Sequence, residues 1–414
     1  MYWEGITMKY ELKTELSHEE YEQFTKKADV LSFMQEYQWA NVKDGWKHFH
    51  CGLYRDQELV ATALVLLRNL PLGIKLMYIP RGMLIDYEDK ELLQVLTKHL
   101  KELAKKEHAY VLKIDPNFCY REYSIKEVEK NETVEIPKNY SENYQKKHQN
   151  LLDCGFRFKG YTKTIQETLQ PRYHMYIPLI NSENEFLTEQ EVKTSFKKRI
   201  RSYIGNYHEK RGVRYFHTTD PKYLDMFMEV INQTEKRQNI HLRNKEYFQK
   251  MMKEYQGESY LFFGMLNLET YLSFLKENQG KEEEIREVEA LLKQGKTEIP
   301  LSTAFVLIPE NEGLRTSEYL YAGNHLLFTK LNVSVGLVYE ICKFSLKKKC
   351  SYCNLGGIDG TFDDHLTPFK SRFNAIVFEF AGEYDLIIQN IRYHLYEFGM
   401  PILKKIYRFL RRKK

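Results

Sequence analysis

One order of elements (strand, strand, strand, helix, strand) can be read twice along this chain, and that repetition restricts its fold more than any other feature. In the first half, residues 49–54 read as a strand, turned at 55–58 into a second, well-buried strand at 59–67. Residues 76–79 give a third strand, closed by Pro80-Arg81-Gly82. Leu92, Leu93, Leu96, Leu100 and Leu103 then form a helical stripe within 91–106, and residues 110–114 return as a strand ended by Asp115-Pro116. The second half shows strands at 260–264, 302–308 and 319–323, a helix at 335–346 with a continuous apolar face, and a strand at 352–355. The pattern predicts two duplicated α/β domains with mixed α+β sheets. Residues 1–150 and 383–400 are assigned to the first, and residues 151–266 and 300–382 to the second.

Residues 267–299 interrupt the second unit. Two charged, helix-forming runs, 268–276 and 281–293, are split by Asn278-Gln279-Gly280 and carry Ile285, Val288, Leu291 and Leu292 at helical spacing. They predict a short helical hairpin: either a solvated surface pair or an arm that touches a large substrate.

The net charge is +5, yet the basic tail at 401–414 alone holds Lys404, Lys405, Arg408, Arg411, Arg412, Lys413 and Lys414. The remainder is close to neutral, which argues against a nucleic-acid coat over the whole body. Leu403, Ile406, Tyr407 and Leu410 fall on one stripe of that tail, the pattern of a helix lying on anionic lipid. Binding to tRNA phosphates and a soluble disordered end are the alternatives. The start lacks a basic region followed by an apolar run, and no apolar stretch is long enough to span a bilayer, so a cytoplasmic protein is expected, peripheral to the membrane at most. Of six cysteines only Cys350 and Cys353 form a CxxC pair, so reduced thiols are expected and no metal site.

No HExxH, GxSxG or P-loop is present. The informative segments are longer. They are Trp39-Ala40-Asn41-Val42-Lys43 with Trp46, Arg68-Asn69-Leu70-Pro71-Leu72-Gly73, Tyr78-Ile79-Pro80-Arg81-Gly82, and Lys113-Ile114-Asp115-Pro116. Thr168-Leu169-Gln170-Pro171-Arg172 follows, then Gly356-Gly357-Ile358-Asp359-Gly360 leading to Pro368-Phe369-Lys370-Ser371-Arg372-Phe373. In this order and spacing the chain, from about Met34 to Gly382, resembles the FemABX family of peptidyltransferases. The resemblance implies two GNAT-like acyltransferase domains, with the hairpin as an arm on the second. It implies transfer of an amino acid, alanine, serine or glycine, from aminoacyl-tRNA to the stem peptide of a peptidoglycan precursor. That precursor is lipid II or UDP-MurNAc-pentapeptide, and the product is the interpeptide bridge.

An aminoacyl ester is already activated, so no cofactor is called for. The enzyme must hold amine and carbonyl together and stabilise an oxyanion. Through the resemblance, Lys370 of the Phe-Lys motif is expected beside the reacting carbonyl as a catalytic residue. Asp115, at the end of a strand where α/β sheets place ligand groups, is expected to orient the amine or take its proton. Lys43 matches a lysine that binds precursor diphosphate, and Arg199 or Arg201 in the basic run 197–201 is the second anion candidate. Tyr110, Tyr260 and Phe369 complete the substrate-binding set. Lys210 and Arg211, extending the basic stretch beyond His208, could meet the tRNA acceptor stem. Two other readings stay open. An N-acyltransferase using acyl-CoA would want a Gln/Arg-x-x-Gly-x-Gly/Ala loop before a helix, which neither half shows. A non-catalytic tRNA- or membrane-binding protein would not need Lys370 or Asp115.

Overall fold

The computed structural model describes residues 9–397 and 399, apart from 44, 125 and 128–137. The tail at 401–414 lies outside the described residues. Two mixed sheets carry the fold. The first contains β1 (Tyr10–Lys13), β2 (Lys47–Arg55), β3 (Glu58–Leu70), β4 (Ile74–Ile79), β5 (Ala109–Ile114), β7 (Arg157–Phe158) and β15 (Tyr384–Ile387), in the order β1-β2-β3-β4-β5-β15-β7. The second contains β6 (Cys119–Tyr123), β8 (Tyr173–Pro178), β9 (Val213–Thr218), β10 (Ser259–Asn267), β11 (Glu298–Leu307), β12 (Thr316–Asn324), β13 (Tyr352–Ile358) and β14 (Ile376–Phe380), in the order β6-β14-β8-β13-β12-β11-β10-β9.

The expected repeat is present in both. β2, β3 and β4 form an antiparallel meander, the helix Lys90–Lys106 crosses over, and β5 returns parallel to β4. Asp89 caps that helix by accepting from the Leu92 amide, Lys105 and Lys106 face its C-terminal dipole, and its leucine stripe is buried on the sheet. β10, β11 and β12 repeat the meander, the helix Val333–Lys347 repeats the crossover, and β13 returns parallel to β12.

The two parallel pairs differ at the point that matters. β4 and β5 pair from Lys75↔Ala109 to Ile79↔Ile114. β12 and β13 pair only from Thr316↔Tyr352 to Glu318↔Asn354, and beyond Glu318 they part. The second sheet is therefore splayed open where the first is zipped.

The chain also crosses between the sheets more often than the repeat implies. β6 lies within 1–150 but pairs with β14 of the second sheet, and β7 lies within 151–266 but pairs with β15 of the first. Pro116 ends β5, and the chain crosses over directly. A shared core adds to this exchange: Leu16, Trp39, Leu64 and Leu66 of the first half pack in one cluster with Phe227, Phe248, Phe263 and Phe305 of the second.

The hairpin forms as expected, from helices Leu268–Glu277 and Glu282–Lys293. It is not a free arm. Leu268, Tyr271, Leu275 and Val288 pack against Phe328, Leu331 and Val333 of the second domain.

Candidate functional site

Lys370 ends a four-residue turn, Thr367–Lys370, whose start is held by Asp364, which accepts from the Leu366 and Thr367 amides. The lysine is buried, and its Nζ donates to the carbonyl of Gly357 at 2.8 Å. Burial pushes its pKa down to about 7, against a smaller upward pull from Asp364. Gly356 has φ +83°, and a Cβ built there would lie 3.7 Å from Lys370 Nζ and 3.8 Å from the Tyr319 carbonyl oxygen. The ammonium therefore sits in the gap where β12 and β13 part, and a glycine keeps that gap clear.

Asp115 occupies the corresponding end of β5, and there it closes the sheet. Its Oδ1 accepts from the Tyr78 hydroxyl and the Arg81 amide, both at 2.8 Å. Its Oδ2 lies 3.7 Å from Arg81 Nη1 and has no hydrogen-bond donor among the described residues. Burial raises its pKa, with the Arg81 charge pulling the other way. Asp115 thus holds Arg81 and the Pro80–Gly82 turn, and Arg81 reaches into the second domain. Arg81 Nη2 donates to His174 Nε2 at 2.9 Å. Because arginine can only donate, His174 accepts at Nε2 and carries its proton on Nδ1, which donates to Asn354 Oδ1 at 3.2 Å. Burial and the Arg81 charge hold the imidazole pKa well below its usual range.

Asn354 is the hub of the site. Its Nδ2 donates to Glu318 Oε2 at 2.7 Å and to the Tyr176 hydroxyl at 3.2 Å, while its Oδ1 accepts from the Gly356 amide at 2.8 Å. Glu318 is enclosed by neighbouring atoms, enough to push its pKa up to about 7, yet it keeps solvent-accessible surface. A side chain that is both surrounded and reachable lies in a cleft, and His174, Tyr176 and Tyr319 share that property. The polar chain Asp115–Arg81–His174–Asn354–Glu318 thus runs from the first domain to the splay of the second.

A second basic locus surrounds Lys43, with its ammonium 4.4 Å from the Trp39 ring centre. Burial, then the charges of Arg243 and Arg68, push its pKa down to about 8. Arg68 stacks over Trp46 and Arg243 over Tyr247. Three cations converge here with aromatic rings, beside a cavity of 380 Å³ whose lining includes Lys43, Trp46, His48, Lys250 and Lys253 together with one carboxylate, Glu254. A like-charged cluster of this kind is stabilised by an anion.

The remaining candidates scatter. Tyr110 is turned toward Tyr393, Tyr396 and Glu397, with its hydroxyl 3.4 Å from Glu397, and does not face Asp115. Tyr260 is buried in the core of the second domain, and its hydroxyl donates to the Gly257 carbonyl. Phe369 packs on Phe373 beside Lys370. Arg199 is exposed and Arg201 half-buried on the turn Lys198–Arg201, whose Lys197 amide donates to the Arg372 carbonyl. That turn adjoins the Lys370 loop. The charges that flank Lys43 belong to Arg68 and Arg243 instead. Lys210 is exposed, whereas Arg211 is sandwiched between the Tyr207 and Phe274 rings and pins the hairpin. His208 is buried, bonded to Tyr215 and the Leu331 carbonyl. Sequence reasoning gave no role to Arg81, His174, Glu318, Asn354 and Arg243. Arg81 lay within a quoted segment, and its left-handed φ of +61° marks it as held in place. Glu318 and Asn354 carried no local signal.

Two meander–helix–strand units with mixed sheets define a protein of two GNAT-like domains, the second splayed over a buried lysine. The profile of the FemAB family matches residues 16–284 and 278–399, and the chain belongs to that family. Among its relatives is a lipid II:glycine glycyltransferase of Staphylococcus aureus, 27% identical, with 97% of this chain and 100% of the relative covered. The protein of that name from the bovine strain RF122 / ET3-1 is 26% identical over the same shares. The crystal structure of FemX superposes with a TM-score of 0.75 at 25% identity, covering 93% of this chain and 99% of its own.

Proposed function

We propose that this protein transfers an amino acid, glycine in the first instance, from aminoacyl-tRNA to the stem-peptide amine of lipid II, building the interpeptide bridge. The observation that carries the reading is Lys370, a buried cation in the splay of the second domain with only a backbone carbonyl as hydrogen-bond acceptor among the described residues. The glycyltransferase names of the relatives support lipid II and glycine. In this reading the amine nitrogen attacks the ester carbonyl and Lys370 stabilises the oxyanion. The bond to the ribose oxygen then breaks, and the amine proton leaves on that oxygen. Asp115 acts through Arg81, holding the two domains in register across the cleft. Lys43, Arg68 and Arg243 take the precursor diphosphate. Arg199, Arg201 and Lys210, beside or beyond the Lys370 loop, offer cations to the tRNA. The tail at 401–414 is proposed to rest on anionic membrane, which suits a lipid-linked acceptor.

The test is incubation of the full chain with glycyl-tRNA and lipid II, followed by mass spectrometry of the stem peptide. One added glycine supports the reading. No addition to lipid II, to lipid II already carrying one bridge residue, or to the soluble nucleotide precursor overturns it.

A further inference from the structure

An aminoacyl ester carries its own cation: the α-ammonium, attached to the carbon next to the ester carbonyl. A cleft that places Lys370 at the carbonyl oxygen must therefore accept a second positive charge beyond it, which a carboxylate on the far side would balance. Glu318 is the candidate for it. It is the last β12 residue paired with β13, so it stands at the mouth of the splay. The next carbonyl along, that of Tyr319, borders the same Gly356 gap as Lys370 Nζ. Glu318 and Lys370 do not neutralise each other: the ammonium bonds to Gly357, and the carboxylate to Asn354. Among the described residues Asn354 is the one donor that reaches Glu318, and it binds Oε2, which leaves Oε1 for a ligand. Asn354 is itself fixed by His174 and the Gly356 amide, so the carboxylate is held in one orientation.

We infer that Glu318 is the specificity-determining residue that pairs with the α-ammonium of the aminoacyl donor. The inference rests on the transfer reading above. It gives the cleft a reason to refuse donors whose α-nitrogen is acylated or replaced. Burial holds the free carboxyl half-neutral near pH 7, and an arriving ammonium charges it, so recognition occurs on binding.

The experiment compares transfer to lipid II from glycyl-tRNA and from glycolyl-tRNA, in which a hydroxyl replaces the ammonium. The wild-type chain is expected to favour glycyl by roughly tenfold to a hundredfold in kcat/KM, the range of one hydrogen bond between charged groups. In Glu318→Gln, which keeps an acceptor for Asn354, that ratio is expected to fall toward one. Equal use of both donors by wild type overturns the inference without recourse to any variant. So does a folded Glu318→Gln protein that keeps the wild-type ratio. Failure of wild type with both donors on lipid II, on lipid II already carrying one bridge residue and on the soluble nucleotide precursor overturns the transfer reading, and this inference with it. A chain that transfers glycine without discrimination overturns the inference alone.

Discussion

The charge on Lys370, proposed to stabilise the oxyanion, also bears on stability. Its folded pKa of about 7 lies below the unfolded value of 10.5, so the fold carries the full cost of the buried cation below pH 7. That cost fades as pH rises from 7 toward 10.5. Lys370→Met is therefore expected to abolish transfer and to raise the thermal midpoint by a few degrees, more at pH 6 than at pH 9. Calorimetry at the two pH values checks the sign. At the second basic locus, Lys43 and Arg68 lie over Trp39 and Trp46, so diphosphate binding should change tryptophan fluorescence. In Lys43→Ala the midpoint of that titration is expected to move up about tenfold or more; an unmoved midpoint would place the diphosphate elsewhere. Lys370 and Lys43 could be singled out as candidates because each sits in a motif whose order the family shares. Glu318, His174 and Arg243 could not, since their surroundings come from partners remote in the chain, such as Arg243 beside Lys43. Tyr110 shows the converse: the family resemblance alone suggested a ligand-binding residue, and the fold places its ring against Tyr393 and Tyr396.

Among elements, β13 has the most demanding task. It pairs with β12 for three residues, bends at Gly356 and turns its Gly357 carbonyl to Lys370. Gly356→Ala is expected to cost about 1 kcal/mol through its left-handed φ, a small fall in thermal midpoint. The added methyl meets Lys370 Nζ in the gap, so transfer should fall at least tenfold, on the order of 1.4 kcal/mol. A variant with the melting loss and full transfer would show that the donor does not pass this point. The long helices and meander strands were readable from periodicity, because each buries one stripe or one face. The two-residue β7 and the exchange of β6 were not, because edge strands that short carry no period of their own.

At the scale of the whole molecule, the last described segment locks the first sheet. Asp385 of β15 is buried, bonded to Lys113 of β5 at 2.8 Å and to the Tyr393 hydroxyl at 2.7 Å. Asp385→Ala removes the nearer of the two carboxylates paired with Lys113 and is expected to cost about 3–5 kcal/mol, read as a lower denaturation midpoint. An unchanged midpoint would mean that Glu397, 3.6 Å from Lys113, replaces the lost charge. The pairing of β15 between β5 and β7 also sets a timetable for synthesis. The ribosome releases β5 early, but the strand that must lie against it arrives some 270 residues later, at Tyr384. At roughly 5–20 residues per second, the nascent first sheet carries an open edge for about 15–55 seconds. Chaperone capture or fast elongation is then a condition of its yield, and a chain cut short anywhere before Tyr384 leaves that edge open for good.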